Sequence, residues 1–555
     1  MRPAALSDPL KLLLAVTALF TFLIQSGELG TSDTAHRLQV THSLWTGEPQ
    51  VFPYEYPDFG LRGRDGKLYA SYGIGQSLLM LPADLAGTAA SRLPLCRNYV
   101  AAESDPTVRS IVVSISTNIL INLLTALAAY HLLVLLGFNL RQSIAGVLGL
   151  LCATTHLHYA QNLTENNYIV LLTVAGFALQ YCWLVRGDRR ALLWGSAALG
   201  LNLLTRITTA LDILGAACFV LLAMFFARYQ PRSGMSKEVG TGGGLGDASV
   251  LARMSVYLRT ALPVYAFFFF LDRMYQYIRF GSWTTTYVGV LARQQRLMDP
   301  SLPSNFPFNG YWFQGGLDSG VIGPLFSPEK SIFLFDPMFP LALLLTVLLW
   351  RRLEPGVRAF LSTWFLLVAA YIAFYAGYYS WAGDAAWGDR YVSSAVELAA
   401  LPGLPLLIRY RRSLKRPVWY LGLGVTVFSV AVQCASLAFW LPLEIYQMTT
   451  LGHPTWVVFL RFKNIAGFAL GRWDKWGLNT PAIFQDPWDA THLTTWNILP
   501  SLLRRIGDAP PRAVHVLYAL WWFAALALMY VCARLVRSLY RTSAPRASCL
   551  PSMSG

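Results

Sequence analysis

The sequence predicts an all-α polytopic membrane protein, with about twelve transmembrane helices and a large first extracytoplasmic loop carrying membrane-lying helices. Three observations carry this expectation. Long apolar runs recur along nearly the whole chain. Of its 555 residues, 55% are hydrophobic and only 13% are charged, where a soluble domain carries roughly 25% charged residues. The basic residues gather in short clusters between the apolar runs, as they do when they orient helices in a bilayer.

A spanning helix needs about 20 apolar residues. Such runs fall at roughly 10–26, 108–137, 142–160, 166–185, 190–205, 207–228, 258–280, 332–350, 358–378, 391–408, 417–441 and 514–536. Arg206 splits the pair between 190 and 228, so two spans or one long bent helix both fit. The first run is flanked by Arg2 and Lys11 and has the outline of a signal peptide. An uncleaved first helix is preferred, because the most informative motif begins a few residues later.

Orientation follows from Lys and Arg beside the spans. With the N-terminus in the cytoplasm, the inner loops carry Arg141, then Arg186, Arg189 and Arg190, then Arg228, Arg232 and Lys237. Further along they carry Arg351, Arg352 and Arg358, then Arg409, Arg411, Arg412, Lys415 and Arg416. The tail adds Arg534, Arg537 and Arg541. The short outer turn at 161–165 has no basic residue, and the one at 377–389 has none before Arg390. Both termini are then cytoplasmic. The net charge of +15 is accounted for by this pattern, and no nucleic-acid partner is expected. The seven cysteines show no metal spacing and read as small core residues.

Three long segments, 27–107, 281–331 and 442–512, fall outside the cytoplasm. The first contains a helix-like stretch at 33–45 and an apolar one at 74–93. The latter holds Pro82 and Asp84 and reads as interfacial or re-entrant. The Gly-rich stretch 239–246 lacks a GK[ST] ending, so it reads as a linker and not a phosphate loop. The chain divides into a module at 1–410, with outer loops 27–107 and 281–331, and C-terminal helices at 411–555 with outer loop 442–512.

Three polar clusters lie on the outer side. The first is Gly30-Thr31-Ser32-Asp33-Thr34-Ala35-His36-Arg37. Ser32 or Asp33 would cap the following helix; alternatively, Asp33 is a carboxylate able to take a proton from an acceptor hydroxyl. His36 and Arg37 follow one turn on, and Arg37 would orient Asp33 or hold a phosphate. The second cluster runs from the turn Asp65-Gly66 through Lys67 and Tyr72 to Gln76. Lys67 is either a phosphate ligand or an exposed turn residue. Gly73 and Gly75 leave backbone N–H groups at a helix start, a place for an anion. The third cluster is Trp387-Gly388-Asp389-Arg390-Tyr391, with Trp381 upstream. A charged Arg390 near lipid needs a partner, either Asp389 or a lipid phosphate. Trp381 and Trp387 are either interfacial anchors or stacking surfaces for a sugar. Glu165 and Arg206 are further candidates, as ionisable residues at span ends. His156 and His158 are two apart on one helix and do not share a face, so no metal site is expected there.

In this order the clusters resemble the GT-C superfamily of membrane glycosyltransferases, especially bacterial members related to protein O-mannosyltransferases and lipid A aminoarabinose transferases. Asp33 matches the acidic residue that follows the first helix in that superfamily. Thr34 stands where a second acidic residue is common. Residues 69–82 look like the family's Gly-X-Gly-Gln segment. Glu165 matches an acidic residue that opens a later helix. Gly323-Pro324-Leu325-Phe326-Ser327-Pro328 and residues 387–391 resemble motifs of bacterial members, with Asp389 where Pro is more common. The resemblance covers roughly residues 10–410. It implies an inverting transferase that uses a polyprenyl-phosphate sugar as donor and an unknown glycan, lipid or protein as acceptor, on the periplasmic side of a bacterial inner membrane. Asp33 would be catalytic. His36, Arg37, Lys67, Tyr72, Gln76, Glu165, Arg206, Trp387, Asp389, Arg390 and Tyr391 would bind substrate. No cofactor is implied outright, and a divalent metal is compatible with the pattern. The rival readings are a membrane transporter or lipid flippase, and a non-catalytic envelope-assembly protein. Neither similar halves nor midplane broken helices, the marks of many transporters, stand out in the sequence.

Overall fold

A computed structural model describes residues 7–56, 59–94, 96, 99, 106–228, 247–308, 320–383, 386–471, 495–506 and 511–541. The linker at 239–246, Arg232, Lys237, Trp473, Trp476, Trp488 and Cys549 lie outside the described residues.

The helices, in chain order, are α1 (Asp8–Ile24), α2 (Ser32–Thr46), α3 (Gly75–Ser91), α4 (Val108–Leu135), α5 (Leu140–Ala153), α6 (His156–Gln161), α7 (Glu165–Arg186), α8 (Arg189–Leu203), α9 (Ala210–Arg228), α10 (Asp247–Phe280) and α11 (Tyr287–Met298). They continue as α12 (Ile322–Phe326), α13 (Ile332–Phe335), α14 (Met338–Leu349), α15 (Pro355–Tyr375), α16 (Ser393–Ala400), α17 (Gly403–Arg409), α18 (Arg416–Ser436), α19 (Pro442–Thr449), α20 (Val457–Ala469), α21 (Leu499–Ile506) and α22 (Pro511–Arg541). Among the described residues the only sheet is a hairpin of β1 (Gly60–Arg62) and β2 (Leu68–Ala70). Its turn holds Gly66 at φ 78°, as the Asp65-Gly66 signal requires.

Among the described residues, seven helices are long and apolar enough to cross a membrane: Val108–Leu135, Glu165–Arg186, Ile207–Arg228, Val250–Phe280, Pro355–Tyr375, Arg416–Ser436 and Arg512–Arg541. The chain is an integral membrane protein built from helices. The other five expected spans are shorter or broken. α1 has 17 residues and α8 has 15. A 3-10 turn at Ile207–Thr209, with Arg206 as its N-cap, separates α8 from α9, so this pair is two helices and not one bent one.

The remaining three expected spans each break in the middle, and two of the breaks meet beside Glu397 of the third. Thr154 and Thr155 separate α5 from α6, Asp336 and Pro337 separate α13 from α14, and Leu401 and Pro402 separate α16 from α17. A broken helix leaves backbone N–H groups without partners, which apolar surroundings penalise. Asp336 answers this by accepting from the Thr155 N–H at 2.6 Å. The Thr155 hydroxyl lies 3.0 Å from both Asp336 Oδ2 and Glu397 Oε1. The His156 ring lies between Glu397 and Asn122.

Packing follows the apolar faces. Phe177, Phe219, Phe360 and Trp364 form an aromatic core among α7, α9 and α15. Gln25 ties α1 to α4 by accepting from Ser114 and Asn118. α2 and α3 lie against each other beside α4, where fully buried Asp84 accepts from His42 Nδ1 and Trp45 Nε1 and faces Arg109. Described cysteines are all unpaired thiols.

Candidate active site

Thr31 starts the site. It is the N-cap of α2, and its side chain accepts from the Thr34 N–H. The expectation that Ser32 or Asp33 would cap this helix is corrected. With the cap position filled, Asp33 sits in the first turn with its carboxylate released for other partners. Oδ1 accepts from the Tyr72 hydroxyl at 2.8 Å, and Oδ2 accepts from Arg390 Nη1 at 2.8 Å. Arg390 therefore pairs with Asp33, and not with its neighbour Asp389. Burial alone would raise the Asp33 carboxyl. The Arg390 and Arg37 charges and the Tyr72 hydrogen bond outweigh burial and hold it below the usual carboxylate value. Burial and the Asp33 charge push the Tyr72 phenol up, so Tyr72 remains a donor.

Arg37, four residues after Asp33, does not pair with it along the helix. It reaches Glu165 at the start of α7, and Arg206 reaches the other oxygen of the same carboxylate. All three side chains are buried. Aromatic rings cover the guanidinium faces. Arg37 lies 4.5 Å from the Tyr72 ring centre, and Arg206 and Arg390 each lie 5.3 Å from that of Tyr391. Asn166, one residue after Glu165, donates to the Arg390 carbonyl at 2.6 Å and fixes that loop. Five residues from four distant stretches, Asp33, Arg37, Glu165, Arg206 and Arg390, thus form one cluster with three positive and two negative groups.

Glycines set the approach of the second stretch. A Cβ on Gly73 would lie 2.4 Å from the Leu204 carbonyl, and one on Gly75 would lie 2.2 Å from the Thr205 hydroxyl. The Gly75 N–H donates to Leu204. These glycines seat the loop beside Arg206, and the expected anion site on the Gly75 N–H is corrected: that group is already engaged.

Several predicted residues stand apart from the cluster. Lys67 lies on the hairpin turn with its side chain 78% exposed, 4.0 Å from Asp65. It borders a separate groove with Gln50, Tyr56 and Arg62. His36 turns to Ser32 and Glu55 and stacks on Phe59. Gln76 is buried and donates to the Leu163 carbonyl. Trp387 is fully buried against Phe335 and His158, so it is neither an interfacial anchor nor an open stacking surface. Asp389 is buried and accepts from the Tyr391 N–H. Burial pushes its carboxyl up to about 7, against the pull of that bond and of Lys330.

A cavity of about 350 Å³ opens beside Asp33 and Arg390. Its wall includes Thr31, Ser32, His158, Asn162, Phe439, Trp440 and Asn497, which joins the first polar cluster to the C-terminal segment. Sequence reasoning missed Asn162 and His158 as site residues. The Asn162 amide N–H donates to His158 Nε2 at 3.0 Å. The surroundings of Asp33 do not fit a divalent ion: Tyr72 and Arg390 take both oxygens, and Thr34 turns to Leu163. Among the described residues no cluster of three His, Cys, Asp or Glu side chains is placed to hold a metal.

No family model matches the chain, and no curated protein matches it. In structure the chain is similar to the archaeal oligosaccharyltransferase AglB from Archaeoglobus fulgidus in complex with an inhibitory peptide and a dolichol-phosphate, with 11% identity, a TM-score of 0.38, and coverage of 76% of this chain and 55% of that one. It is also similar to the apo form of the Archaeoglobus fulgidus oligosaccharyltransferase, with 12% identity, a TM-score of 0.39, and coverage of 85% and 59%. The chain spans little more than half the length of these structures.

Proposed function

We propose that this chain is a glycosyltransferase. It moves a sugar from a polyprenyl-phosphate donor to an acceptor hydroxyl on the extracytoplasmic side, by an inverting single displacement. The observation that carries this reading is the Asp33–Arg390 pair, set in the wall of a polar cavity and backed by the Arg37–Glu165–Arg206 group.

The arginine cluster supports an anionic substrate. Three guanidinium groups, those of Arg37, Arg206 and Arg390, gather within one buried cluster, the kind of setting in which a phosphate is held by charge-assisted hydrogen bonds. Guanidinium geometry suits phosphate. The surrounding helices are apolar enough to lie in lipid, so a lipid-linked phosphate would reach the site along the bilayer.

In the reaction, the acceptor oxygen forms a bond to the anomeric carbon. The bond from that carbon to the phosphate oxygen breaks, and the phosphate leaves with the electron pair. The acceptor proton passes to Asp33. Arg206 and Arg390 stabilise the negative charge that grows on the leaving phosphate. Arg390 has a second role. In the ligand-free pair it lowers the basicity of Asp33. A phosphate that draws Arg390 toward itself removes that restraint, so donor binding makes Asp33 a better base.

The test is binding of a polyprenyl-phosphate sugar to the purified protein in lipid nanodiscs, followed by native mass spectrometry. The expected result is saturable binding that weakens at least tenfold in Arg206→Ala. Absence of binding by a folded protein across several donors would end this reading in favour of a transporter or an assembly protein.

A further inference from the structure

The cavity beside Asp33 has no assigned occupant, and its walls differ from the arginine side of the site. We infer that it is the acceptor subsite and that its ligand is a neutral carbohydrate, which rests on the glycosyltransferase reading above. An inverting displacement needs the acceptor oxygen and the leaving phosphate on opposite faces of the anomeric carbon. Asp33 borders both regions. Arg37, Glu165 and Arg206 lie to one side and do not line the cavity, whereas Arg390 lines it. The volume of about 350 Å³ falls within the roughly 300–1,000 Å³ of small-molecule sites.

The lining chemistry is that of sugar recognition: hydroxyl and amide groups beside aromatic rings. Thr31, Ser32 and Asn162 supply the polar wall, and Phe439 and Trp440 supply the aromatic one. Asn162 carries the most specific signal. It is only 7% exposed. Its amide N–H is committed to His158 Nε2, which fixes the orientation of the amide and leaves Oδ1 as a buried acceptor with no donor. A buried acceptor left without a donor is unfavourable. A hydroxyl of a bound sugar would supply the donor. Gly30, at φ 80°, brings the first cluster against this residue, since a Cβ there would lie 2.4 Å from the Asn162 Cβ. A charged ligand fits poorly, because Arg390 is the single cation among the described lining residues and Asp33 already engages it.

The experiment uses the full chain in lipid nanodiscs and a panel of methyl glycosides of glucose, galactose, mannose and N-acetylglucosamine, read by saturation-transfer NMR. A short-chain polyprenyl phosphate, read by native mass spectrometry, is the control for the arginine side. Three variants are compared: Asn162→Leu, Trp440→Ala and Ser32→Trp. Ser32 is exposed, so a Trp there fills the cavity mouth without touching the core. The expected result is saturable binding of at least one glycoside, weakened tenfold or more in Asn162→Leu and Ser32→Trp, with polyprenyl phosphate binding unchanged. Glycoside binding that is equal in all three variants overturns the inference. So does a protein that binds polyprenyl phosphate and none of the glycosides. Glycoside binding that depends on Asn162 and Ser32 in a protein that binds no polyprenyl phosphate supports the cavity assignment and removes the donor assignment instead.

Discussion

Arg390 and Asp33 lie 357 positions apart in the chain, yet Arg390 Nη1 donates to Asp33 Oδ2 at 2.8 Å. This contact joins the loop before α16 to the first turn of α2. It also helps hold the carboxyl of Asp33, the proposed base, below the usual carboxylate value. Arg390→Lys keeps the charge and loses the planar geometry. The expected loss of transfer is about 100-fold or more, in the range for removing one charge-stabilising donor. Near-wild-type turnover in Arg390→Lys would show that a point charge suffices.

The pH dependence of this pair has a definite sign. The Asp33 pKa is depressed in the folded protein, so its contribution to stability is present above the unfolded value of about 3.9 and is lost as pH falls through the folded value. Thermal melting of the wild type is therefore expected to lose stability below about pH 4 in a step that Asp33→Asn lacks. An identical acid limb in the two proteins would remove Asp33 as its source.

Asp389 titrates the other way. Its carboxyl is raised to about 7 by burial, so its contribution is most favourable below the unfolded value and is lost as pH rises through 7. Asp389→Asn keeps the acceptor oxygen for the Tyr391 N–H. It is expected to stabilise the protein at pH 8, by a few kcal/mol at most given about 1.4 kcal/mol per unit of pKa shift, and to have little effect at pH 4. Destabilisation at pH 8 would mean that the negative charge of Asp389 is needed.

Two helix breaks, at Thr155 and at Asp336, meet beside Glu397 of α16. The Thr155 hydroxyl lies 3.0 Å from an oxygen of each acid, and it has only one hydrogen to give. Asp336→Asn and Glu397→Gln, each neutral, are expected to insert and melt within a few degrees of wild type. Asp336→Leu removes the acceptor for the Thr155 N–H and should cost about 1–3 kcal/mol. Equal melting temperatures for Asp336→Asn and Asp336→Leu would contradict this account.

Lys67 provides a negative prediction. It is exposed on the hairpin turn beside Asp65 and does not line the cavity beside Asp33, so Lys67→Ala should change donor affinity by less than twofold. A tenfold loss would place the hairpin against the donor.

The sequence made the broad architecture legible because lipid imposes a simple code of apolar length and basic flanks. The helices around residues 33–45 and 74–93 were legible from caps, turns and apolar content, and they appear as α2 and α3. The broken spans were not. Asp336-Pro337 and Leu401-Pro402 sit inside apolar runs, and hydropathy averages over them. Asp33, Arg390, Arg37, Glu165 and Arg206 were each legible as charged groups at helix ends. Their pairing was not, because local spacing favours Arg37 with Asp33 and Arg390 with Asp389. Tertiary contacts across more than a hundred residues replaced both pairs. Asn162 was legible only as the start of an Asn162-Leu163-Thr164 sequon too near the membrane to be modified, and not as a site residue, because a neutral amide in a short turn carries no charge signal. Only its committed N–H and uncommitted oxygen mark it.

The central claim is that Asp33 accepts the proton of the attacking hydroxyl. The most direct test is transfer of a radiolabelled sugar from a polyprenyl-phosphate donor by the wild type and by Asp33→Asn, with donor affinity measured in parallel. The account predicts that Asp33→Asn binds donor within a fewfold of wild type and loses transfer by about 100- to 10,000-fold. Transfer by Asp33→Asn at a rate near that of the wild type would contradict it.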